Sequence, residues 1–386
     1  MFVTHLTLSD FRNYTSLDVE LVPGPNLFVG SNGQGKTNLV ESLGYLSTLG
    51  SHRVSSDQAM IRQGQDTAII RARLAHDGRE LLAEVELNRS SPNRAQVNRS
   101  AIKTRELPRY FSSVLFAPED LALVRGEPSG RRRFMDELLV LRAPRMSGVI
   151  ADYERVLRQR NTLLKSARAS GIKENQLSTL EIWDDRLVAL GTELIRARAQ
   201  LVSELAPEVA RAYGAIAGAD HAATLSSQLS ILASNPDSDE NDATATVQDV
   251  PTVEQVTTDF RNSLARLRRA ELDRGVTLAG PHRDDLVLGL NGMPARGYAS
   301  HGESWSFALA LKLASAAVLR RESSSGDPVL VLDDVFAELD QSRRSRLGAA
   351  VADFEQVLIT AAVFDDVPAE LATHVVRIRA GEVVDE

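Results

Sequence analysis

Residues 30–37 read Gly30-Ser31-Asn32-Gly33-Gln34-Gly35-Lys36-Thr37 and match the pattern G-x-x-x-x-G-K-[ST] at every fixed position. Glycines in this pattern let backbone N–H groups turn toward phosphate oxygens, while the lysine reaches the β- and γ-phosphates and the hydroxyl ligates Mg²⁺. The apolar run Leu27–Val29 precedes the loop, and leucines at helical spacing follow it over Asn38–Leu49. The sequence therefore predicts a strand, a phosphate-binding loop and a helix, which are the elements of a nucleotide-binding α/β fold.

A second motif places two acids at the end of an apolar strand. Val329–Leu332 is followed by Asp333 and Asp334. We expect Asp333 to hold Mg²⁺ through water and Asp334 to orient or deprotonate the attacking water, with Lys36 as the other catalytic residue. Asp333 follows Lys36 by 297 residues (333 − 36), which is too far for a compact kinase or a small GTPase. A large insertion must therefore separate the two halves of the site.

Composition excludes several classes of protein. The 386 residues are 43% hydrophobic and 25% charged, which is typical of a soluble globular chain and not of a disordered or collagen-like one. Because there is no cysteine, disulfide scaffolds, thiolate metal sites and cysteine nucleophiles are excluded. No apolar run approaches the roughly 18 residues of a membrane span, and the first residues lack the layout of a signal peptide. We therefore expect a cytoplasmic protein.

The order of elements predicts one α/β core built from both ends of the chain, with a mostly helical lobe inserted. Apolar stripes at helical spacing run over residues 149–164 and 183–205, and an acidic Ser/Thr-rich segment, 234–250, is expected to be a flexible insertion. The expected boundaries are 1–131 for the first part of the core, 132–271 for the lobe and 272–386 for the second part. The expected strands are Phe2–Leu8, Leu17–Val22, Leu27–Val29, Thr67–Leu74, Leu81–Leu87, Pro328–Leu332, Gln356–Thr360 and His374–Ile378.

Several separate blocks resemble one known family. They are DFRNY at 10–14, the loop extended to GSNGQGKTNLVES, FAPEDL at 116–121, RRRFMD at 131–136 and GPHRDDL at 280–286. With these blocks the chain resembles the SMC-like branch of the ATP-binding-cassette (ABC) ATPases and, within it, the RecF family of bacterial recombination and repair proteins. The resemblance covers most of the chain apart from the middle of the helical lobe, and it implies an ABC-type P-loop ATPase core.

The resemblance also assigns roles around the nucleotide. Ser300-His301-Gly302-Glu303 looks like the signature motif, which binds the γ-phosphate held by the other subunit. Asp340 lies in a segment that resembles the D-loop. Residues 118–120 correspond in position to the Q-loop, and Thr360 corresponds to the switch residue after the last core strand. Thr37 and Asp333 are the expected metal ligands. The expected ATP-binding residues are Gly30, Ser31, Asn32, Gly33, Gln34, Gly35, Lys36, Thr37, Asn38, Ser300, Gly302, Glu303 and Asp340.

Three residues depart from the general cassette pattern. Glu303 replaces the usual glutamine, Asp334 the usual catalytic glutamate, and Thr360 the usual histidine. The shorter carboxylate and the missing histidine predict slow hydrolysis and leave the identity of the general base open. Taken by itself, the segment 300–304 is equally consistent with a helix N-terminus closed by a capping box.

Local basic clusters are the candidates for DNA contact, because the chain as a whole is acidic, with a net charge of 44 − 52 = −8. The first cluster is residues 89–109, which contain one acid, Glu106. The second is 131–133, and the third lies on the stretch 261–269. Arg53 stands where SMC-like proteins carry an arginine that links nucleotide state to DNA. No base-reading motif is visible, so contacts to phosphates are expected, with strong salt dependence. The candidates are Arg53, Arg94, Arg99, Lys103, Arg105, Arg109, Arg131, Arg132 and Arg133.

The resemblance implies an ATP-driven homodimer that clamps gapped or junction DNA. In this family the clamp works with RecO and RecR to help RecA load, and slow ATP hydrolysis reopens it. Two other classes share parts of the pattern. One is the ATPase subunit of a membrane transporter, and the other is a scaffold that uses ATP without turnover. ATP-dependent DNA binding would exclude the first, and phosphate release would exclude the second.

Overall fold

The computed structural model describes residues 1–171, 178–218, 221–234, 246–323 and 326–384. The chain divides into two compact units. The first comprises Met1–Leu121, Arg211–Asp220 and Ser300–Glu386, and the second comprises Ala122–Ala210 and His221–Ala299. Within the described residues no helix is both long enough and apolar enough to cross a bilayer.

The strands are β1 (Phe2–Phe11), β2 (Tyr14–Glu20), β3 (Gly24–Val29), β4 (Thr67–His76), β5 (Arg79–Asn88), β6 (Arg94–Val97), β7 (Ser100–Ile102), β8 (Ser113–Phe116), β9 (Thr224–Gln228), β10 (Thr246–Val247), β11 (Asp285–Leu290), β12 (Met293–Pro294), β13 (Val329–Asp333), β14 (Gln356–Ala361), β15 (His374–Arg379) and β16 (Glu382–Val384). The helices are α1 (Lys36–Thr48), α2 (Leu121–Arg125), α3 (Pro128–Arg142), α4 (Met146–Ala169), α5 (Ser178–Ala217), α6 (Val253–Arg274), the single turn α7 (Ala295–Tyr298), α8 (His301–Glu322) and α9 (Gln341–Val351).

The first unit contains a largely parallel sheet in the order β16-β15-β3-β14-β13-β8. β3 lies between β14 and β15 and pairs with both in parallel, so a strand from the start of the chain is flanked by strands from its end. Every residue of β13 and β14 is buried, as expected for parallel strands covered on both faces. The predicted α/β core built from both chain ends is confirmed.

A second sheet of this unit is antiparallel, in the order β2-β1-β4-β5-β6-β7. Its buried residues, such as Leu6, Ile70 and Val85, join one hydrophobic core with Leu43 of α1 and Val331 of β13. Helix α1 therefore packs against both sheets. This double packing fixes the amino-terminal end of α1, from which the loop 30–37 is formed.

The second unit is mostly helical, as predicted, and also holds a small sheet in the order β10-β9-β11-β12. The expected helices of about 20 residues are longer: α4 has 24 residues, and α5 has 40 with Pro207 inside it. A fully buried arginine, Arg160, joins α4 to its neighbours through Asp184 (2.7 Å) and the equally buried Glu271 (2.6 Å). Such a pair holds its elements in register, because separating the charges inside the protein is costly.

The two units divide at 121/122 and 299/300, whereas the sequence placed boundaries at 131/132 and 271/272. The reason is strand pairing: β11 is hydrogen-bonded to β9, so the segment after α6 belongs to the second unit. The end of α5, by contrast, belongs to the first. Most of the predicted flexible segment 234–250 lies outside the described residues, and its end, β10, pairs with β9.

Candidate nucleotide site and nucleic-acid surface

The loop 30–37 turns from β3 into α1 with a backbone that only glycine adopts easily. Gly33 and Gly35 have φ of 81° and 115°, and a Cβ at Gly30 would lie 2.2 Å from the carbonyl oxygen of Ile378. Lys36 is folded over the loop, with Nζ donating to the carbonyl oxygens of Gly30 (2.6 Å) and Ser31 (3.1 Å). The ammonium group therefore lies over the loop for which the pattern predicts phosphate binding.

The two halves of the nucleotide site meet at one carboxylate oxygen. Oδ1 of Asp333 accepts hydrogen bonds from the hydroxyls of Thr37 (3.0 Å) and Thr360 (2.6 Å). Burial raises the pKa of Asp333, and the two threonine hydroxyls oppose that shift. Hydroxyl and carboxylate oxygens are the ligands that Mg²⁺ prefers. Thr37 and Asp333 thus form a suitable donor set for the metal that the sequence predicts.

Asp334 has a strained backbone conformation beside this pair. Its φ of 54° lies in the left-handed region, which costs a non-glycine residue about 1–2 kcal/mol. Burial raises the pKa of its carboxyl, and the nearby Lys36 opposes the shift. The backbone N–H of Asp334 donates to the Thr360 hydroxyl at 3.0 Å. The Thr360 hydroxyl thus contacts both acids: it donates to the Asp333 carboxylate and accepts from the backbone N–H of Asp334.

Two residues of the block 10–14 support the loop, a role that the sequence analysis did not assign. The Tyr14 hydroxyl donates to the carbonyl oxygen of Gly35 (3.0 Å), and Asn13 Nδ2 donates to that of Gln34 (3.2 Å). The backbone N–H of Gly381, in the β15–β16 turn, donates to the same Gln34 oxygen (3.0 Å). The loop is therefore held from two sides by hydrogen bonds. The only sequence signal was the presence of Asn13 and Tyr14 in a family block.

Arg53 lies against the first turns of α1. Its Nη1 donates to Asn38 Oδ1 (2.8 Å) and lies 3.7 Å from Glu41, whose carboxylate also accepts two hydrogen bonds from Arg12 at 2.8 and 2.6 Å. Burial raises the pKa of Glu41, but hydrogen bonds from Arg12 and Ser51 outweigh that effect and hold it below its ordinary value. Arg53 thus joins α1 through a buried carboxylate while its guanidinium remains partly exposed.

The segment 300–304 forms the amino-terminal end of α8, closed by a capping box. The Ser300 hydroxyl accepts from the backbone N–H of Glu303 (3.3 Å), and the Glu303 carboxylate accepts from that of Ser300 (2.7 Å). Ser300 is exposed at the positive end of a 22-residue helix. A Cβ at Gly302 would lie 2.8 Å from Nη1 of Arg343, which donates to Asp340 (2.9 Å). The predicted signature and D-loop residues therefore lie near one another.

The segment predicted to correspond to the Q-loop forms a short 3₁₀ turn, Pro118–Asp120. Asp120 Oδ1 lies 2.8 Å from Nζ of Lys312 on α8, and its Oδ2 accepts from the backbone N–H of Ala117 at 2.9 Å. Lys312 also donates to the carbonyl oxygen of Leu115 in β8 (2.8 Å). This ion pair ties the predicted Q-loop segment to the helix that starts at the predicted signature.

The basic candidates differ in exposure. Five of the predicted residues are exposed on or after β6, in the first unit: Arg94, Arg99, Lys103, Arg105 and Arg109. In the second unit Arg133 is exposed and pairs with Glu137 (2.7 Å), while Arg132 is half-buried and donates to the carbonyl oxygen of Asp284 (2.8 Å).

Arg131 has a structural role. Only 4% of its side chain is exposed, and its guanidinium donates two hydrogen bonds to Asp285, at 2.8 and 2.6 Å. The guanidinium also donates to the carbonyl oxygen of Gly126 (2.9 Å). All of these contacts face the interior of the second unit. Arg131 is therefore not available for contact with a nucleic acid.

The substitution Arg131→Met should destabilise the protein and leave nucleic-acid affinity unchanged. It leaves the Asp285 carboxylate buried without its partner, a loss of about 3–5 kcal/mol. Chemical denaturation would measure the stability, and binding would be measured at a temperature where the variant is folded. A selective loss of DNA affinity with unchanged stability would contradict the structural role.

The block 280–286 forms a polar junction inside the second unit. Asp284 accepts from the backbone N–H and the hydroxyl of Ser230, both at 2.8 Å, and burial raises the pKa of its carboxyl to about 6. His282 Nδ1 lies 2.8 Å from the Tyr153 hydroxyl, and burial lowers the pKa of the imidazole to about 3. Arg283 is exposed. The histidine and this aspartate are thus structural residues.

Comparison with known proteins identifies the family. The "DNA replication and repair protein RecF" of Leifsonia xyli subsp. xyli is 66% identical, over 100% of both chains. The chain belongs to the RecF family. The RecF protein of Clavibacter sepedonicus is also 66% identical, over 100% of this chain and 95% of its own. The family description "RecF/RecN/SMC N terminal domain" matches residues 2–382.

Solved structures agree with the RecF assignment. A structure titled "Structure of the recombination mediator protein RecF-ATP in RecFOR pathway" is 27% identical, has a TM-score of 0.86, and covers 99% of this chain and 97% of its own. The SMC head bound to the C-winged helix domain of ScpA has a TM-score of 0.54 at 13% identity and covers 100% of this chain and 97% of its own, which is a likeness of fold. The predicted ABC-type core is confirmed, and membership of the RecF family sets the transporter alternative aside.

Proposed function

We propose that this protein is an ATP-dependent DNA-binding protein of recombinational repair and replication-fork maintenance. The observation that carries the proposal is the shared oxygen of Asp333, which joins Thr37 of the phosphate loop to Thr360 after the acidic strand. This arrangement supports a metal and phosphate site of the kind found in P-loop ATPases. One of the similar solved structures is named RecF-ATP, which supports ATP as the nucleotide.

In this proposal the loop 30–37 and Asn38 hold the phosphates of ATP. Lys36 exchanges its contacts with the loop carbonyls for phosphate oxygens, and the helix dipole of α1 favours the same negative charge. Thr37 and Asp333 would hold Mg²⁺, which would supply positive charge to neutralise the phosphates. The residues fit this metal because both present oxygen atoms at one point.

A dimer completes the site. Two copies sandwich two ATP molecules, each between the loop of one copy and Ser300, Gly302, Glu303 and Asp340 of the other. The amino-terminal end of α8 suits the γ-phosphate, because Ser300 is exposed there at the positive end of the helix. The closed dimer clamps gapped or junction DNA, with Arg53, Arg132, Arg133 and the exposed cations of β6 and the residues after it as candidate contacts.

Hydrolysis is slow and acts as a switch. The single hydroxyl proton of Thr360 is donated to Asp333, so that no proton remains for the γ-phosphate in this arrangement. Asp334 orients or deprotonates the attacking water, and its raised pKa suits proton transfer. Opening of the clamp after hydrolysis then releases DNA.

Asp334→Asn should bind ATP and dimerise like the wild type and stay closed longer. The amide keeps the size of the side chain but cannot accept the proton, so ATP hydrolysis should fall about 100-fold or more. Phosphate release and the lifetime of the dimer, each with ATP and Mg²⁺, measure the effect. Hydrolysis faster than that of the wild type would show that Asp334 does not orient or deprotonate the attacking water.

The partners follow from the family. One similar structure is described as a recombination mediator in the RecFOR pathway, a statement about that protein. We propose that this chain likewise works with RecR and RecO to help RecA load onto DNA.

Sedimentation velocity with labelled gapped duplex tests the central proposal. The protein is run with and without ATP and Mg²⁺ at two salt concentrations. A dimer on DNA that forms only with ATP and weakens with salt is the expected result. ATP-dependent dimers that do not bind DNA would overturn the repair role, and the assignment of the nucleotide site would still stand. ATP retained for hours without phosphate release would instead favour a scaffold.

A further inference from the structure

One β-turn carries an arginine where its conformation favours glycine. In the described residues, four hairpins are joined by two-residue turns with positive φ at both positions. Three of these turns place glycine second: Asp77-Gly78, Asn291-Gly292 and Ala380-Gly381. The fourth joins β6 to β7 through Asn98-Arg99, with φ of 49° and 66°. The backbone at Arg99 is therefore strained, and no local requirement of the turn explains the side chain.

The turn is hydrogen-bonded to the neighbouring strand β5. The backbone N–H of Asn98 donates to the carbonyl oxygen of Leu82 (2.9 Å), and Asn98 Oδ1 accepts from the N–H of Leu82 (2.8 Å). Arg99 is exposed at the tip, and among the described residues none bonds or pairs with its guanidinium. The hairpin therefore presents a single cation from a fixed point.

Other cations lie at the base of the same hairpin. Ala95 pairs with Ile102 across the two strands, so Arg94 and Lys103 stand side by side just beyond that pair. Arg105 follows, exposed like them. Arg94 precedes the first turn residue, Asn98, by four positions, or about 13 Å at 3.3 Å per residue. The hairpin thus carries positive charge at two levels, its base and its tip.

We propose that Arg99 enters the minor groove of duplex DNA while the cations at the base contact phosphates of the same duplex. The proposal rests on the DNA-binding function proposed above. An undistorted minor groove is about 6 Å wide and admits a single side chain, whereas a two-stranded ribbon fits the wider major groove. A narrow groove, as in A-tracts, carries a more negative potential and attracts an inserted arginine. The hairpin then reads the shape of the duplex and favours A-tracts over G·C-rich segments.

Arg99→Gly separates this role from stability, because it removes the guanidinium and also relieves the strained backbone. Its melting temperature should rise by roughly 1–2 °C. Fluorescence anisotropy with ATP and Mg²⁺ would compare a gapped duplex that carries an A-tract with one that is G·C-rich. We expect the variant to bind the A-tract duplex about tenfold more weakly and the G·C-rich duplex within about twofold of the wild type.

Two matched variants and one ligand complete the design. Arg99→Lys keeps the charge and should retain part of the A-tract preference. Arg155→Ala removes an exposed arginine of α4 and should leave the affinity for both duplexes unchanged. Netropsin, which fills the minor groove of A-tracts, should weaken the wild type and leave Arg99→Gly unchanged.

The outcomes are distinct. Equal losses on both duplexes would mean a phosphate contact and overturn the proposal, as would a variant that binds like the wild type. If the wild type itself shows no ATP-dependent duplex binding, the proposed function falls together with this inference.

Discussion

Lys36→Met is expected to lower ATP affinity at least about 100-fold and to abolish ATP-dependent dimerisation. Charge-assisted hydrogen bonds are about twice as strong as neutral ones, and Lys36 supplies several to the phosphates, so a loss of about 2.7 kcal/mol or more is reasonable. Methionine keeps most of the length of the buried lysine side chain, so most of the space around the loop stays filled. The dimer is lost because, in the proposed arrangement, ATP joins the two copies.

Isothermal titration with ATP and Mg²⁺ measures this affinity directly, and a thermal shift gives an independent reading. ATP at 100 times its Kd stabilises the folded wild type by about 2.7 kcal/mol, and the variant should show almost none of this. Lys165→Met, which removes an exposed lysine of α4, serves as the control and should bind ATP normally. Undiminished affinity in Lys36→Met would mean that the phosphates bind elsewhere.

Ser300→Arg should bind ATP with unchanged affinity and fail to form the closed dimer. The phosphate loop of the same chain is untouched, whereas the arginine places bulk and positive charge at the positive end of α8, where the partner's γ-phosphate must dock. Loss of the N-cap costs about 1 kcal/mol, which leaves the protein folded. Sedimentation with ATP measures the dimer.

Ser300→Asp separates the signature role from a purely structural cap. Aspartate caps a helix as well as serine does, so stability should be unchanged. Its carboxylate, however, repels the γ-phosphate and should also prevent the closed dimer. If Ser300 serves only the capping box with Glu303, the aspartate variant dimerises like the wild type, and the signature assignment is lost.

The parts of the site that lie on a contiguous motif could be predicted from the sequence. The spacing of residues 30–37 gave the loop, and the acids at the end of an apolar strand gave Asp333 and Asp334. The approach of Thr37 to Asp333 follows from both lying at the carboxyl edge of one parallel sheet, in which β3 and β13 flank β14.

Features that depend on distant partners could not be predicted. Three consecutive arginines at 131–133 suggested one basic patch, but α3 turns them to different sides, and the partner of Arg131 lies 154 residues away. The boundary of the lobe depends on the pairing of β11 with β9, which no local pattern reveals. The strained turn at Arg99 could not be predicted either, because Asn98-Arg99 lacks the Asn-Gly signature of a two-residue turn.

The position of β3 between β14 and β15 has a consequence for synthesis on the ribosome. The loop 30–37 emerges early, but the strand before it finds its first parallel neighbour only when residue 356 has been made, 327 residues after Val29 (356 − 29). At about 5–20 residues per second that delay is roughly 16–65 s. During this time β3, which is wholly buried at its carboxyl end in the folded protein, exposes apolar side chains and unpaired backbone groups. Newly made chains of this protein should therefore depend on holding chaperones until the last strands appear, and chains that end before β14 should be degraded.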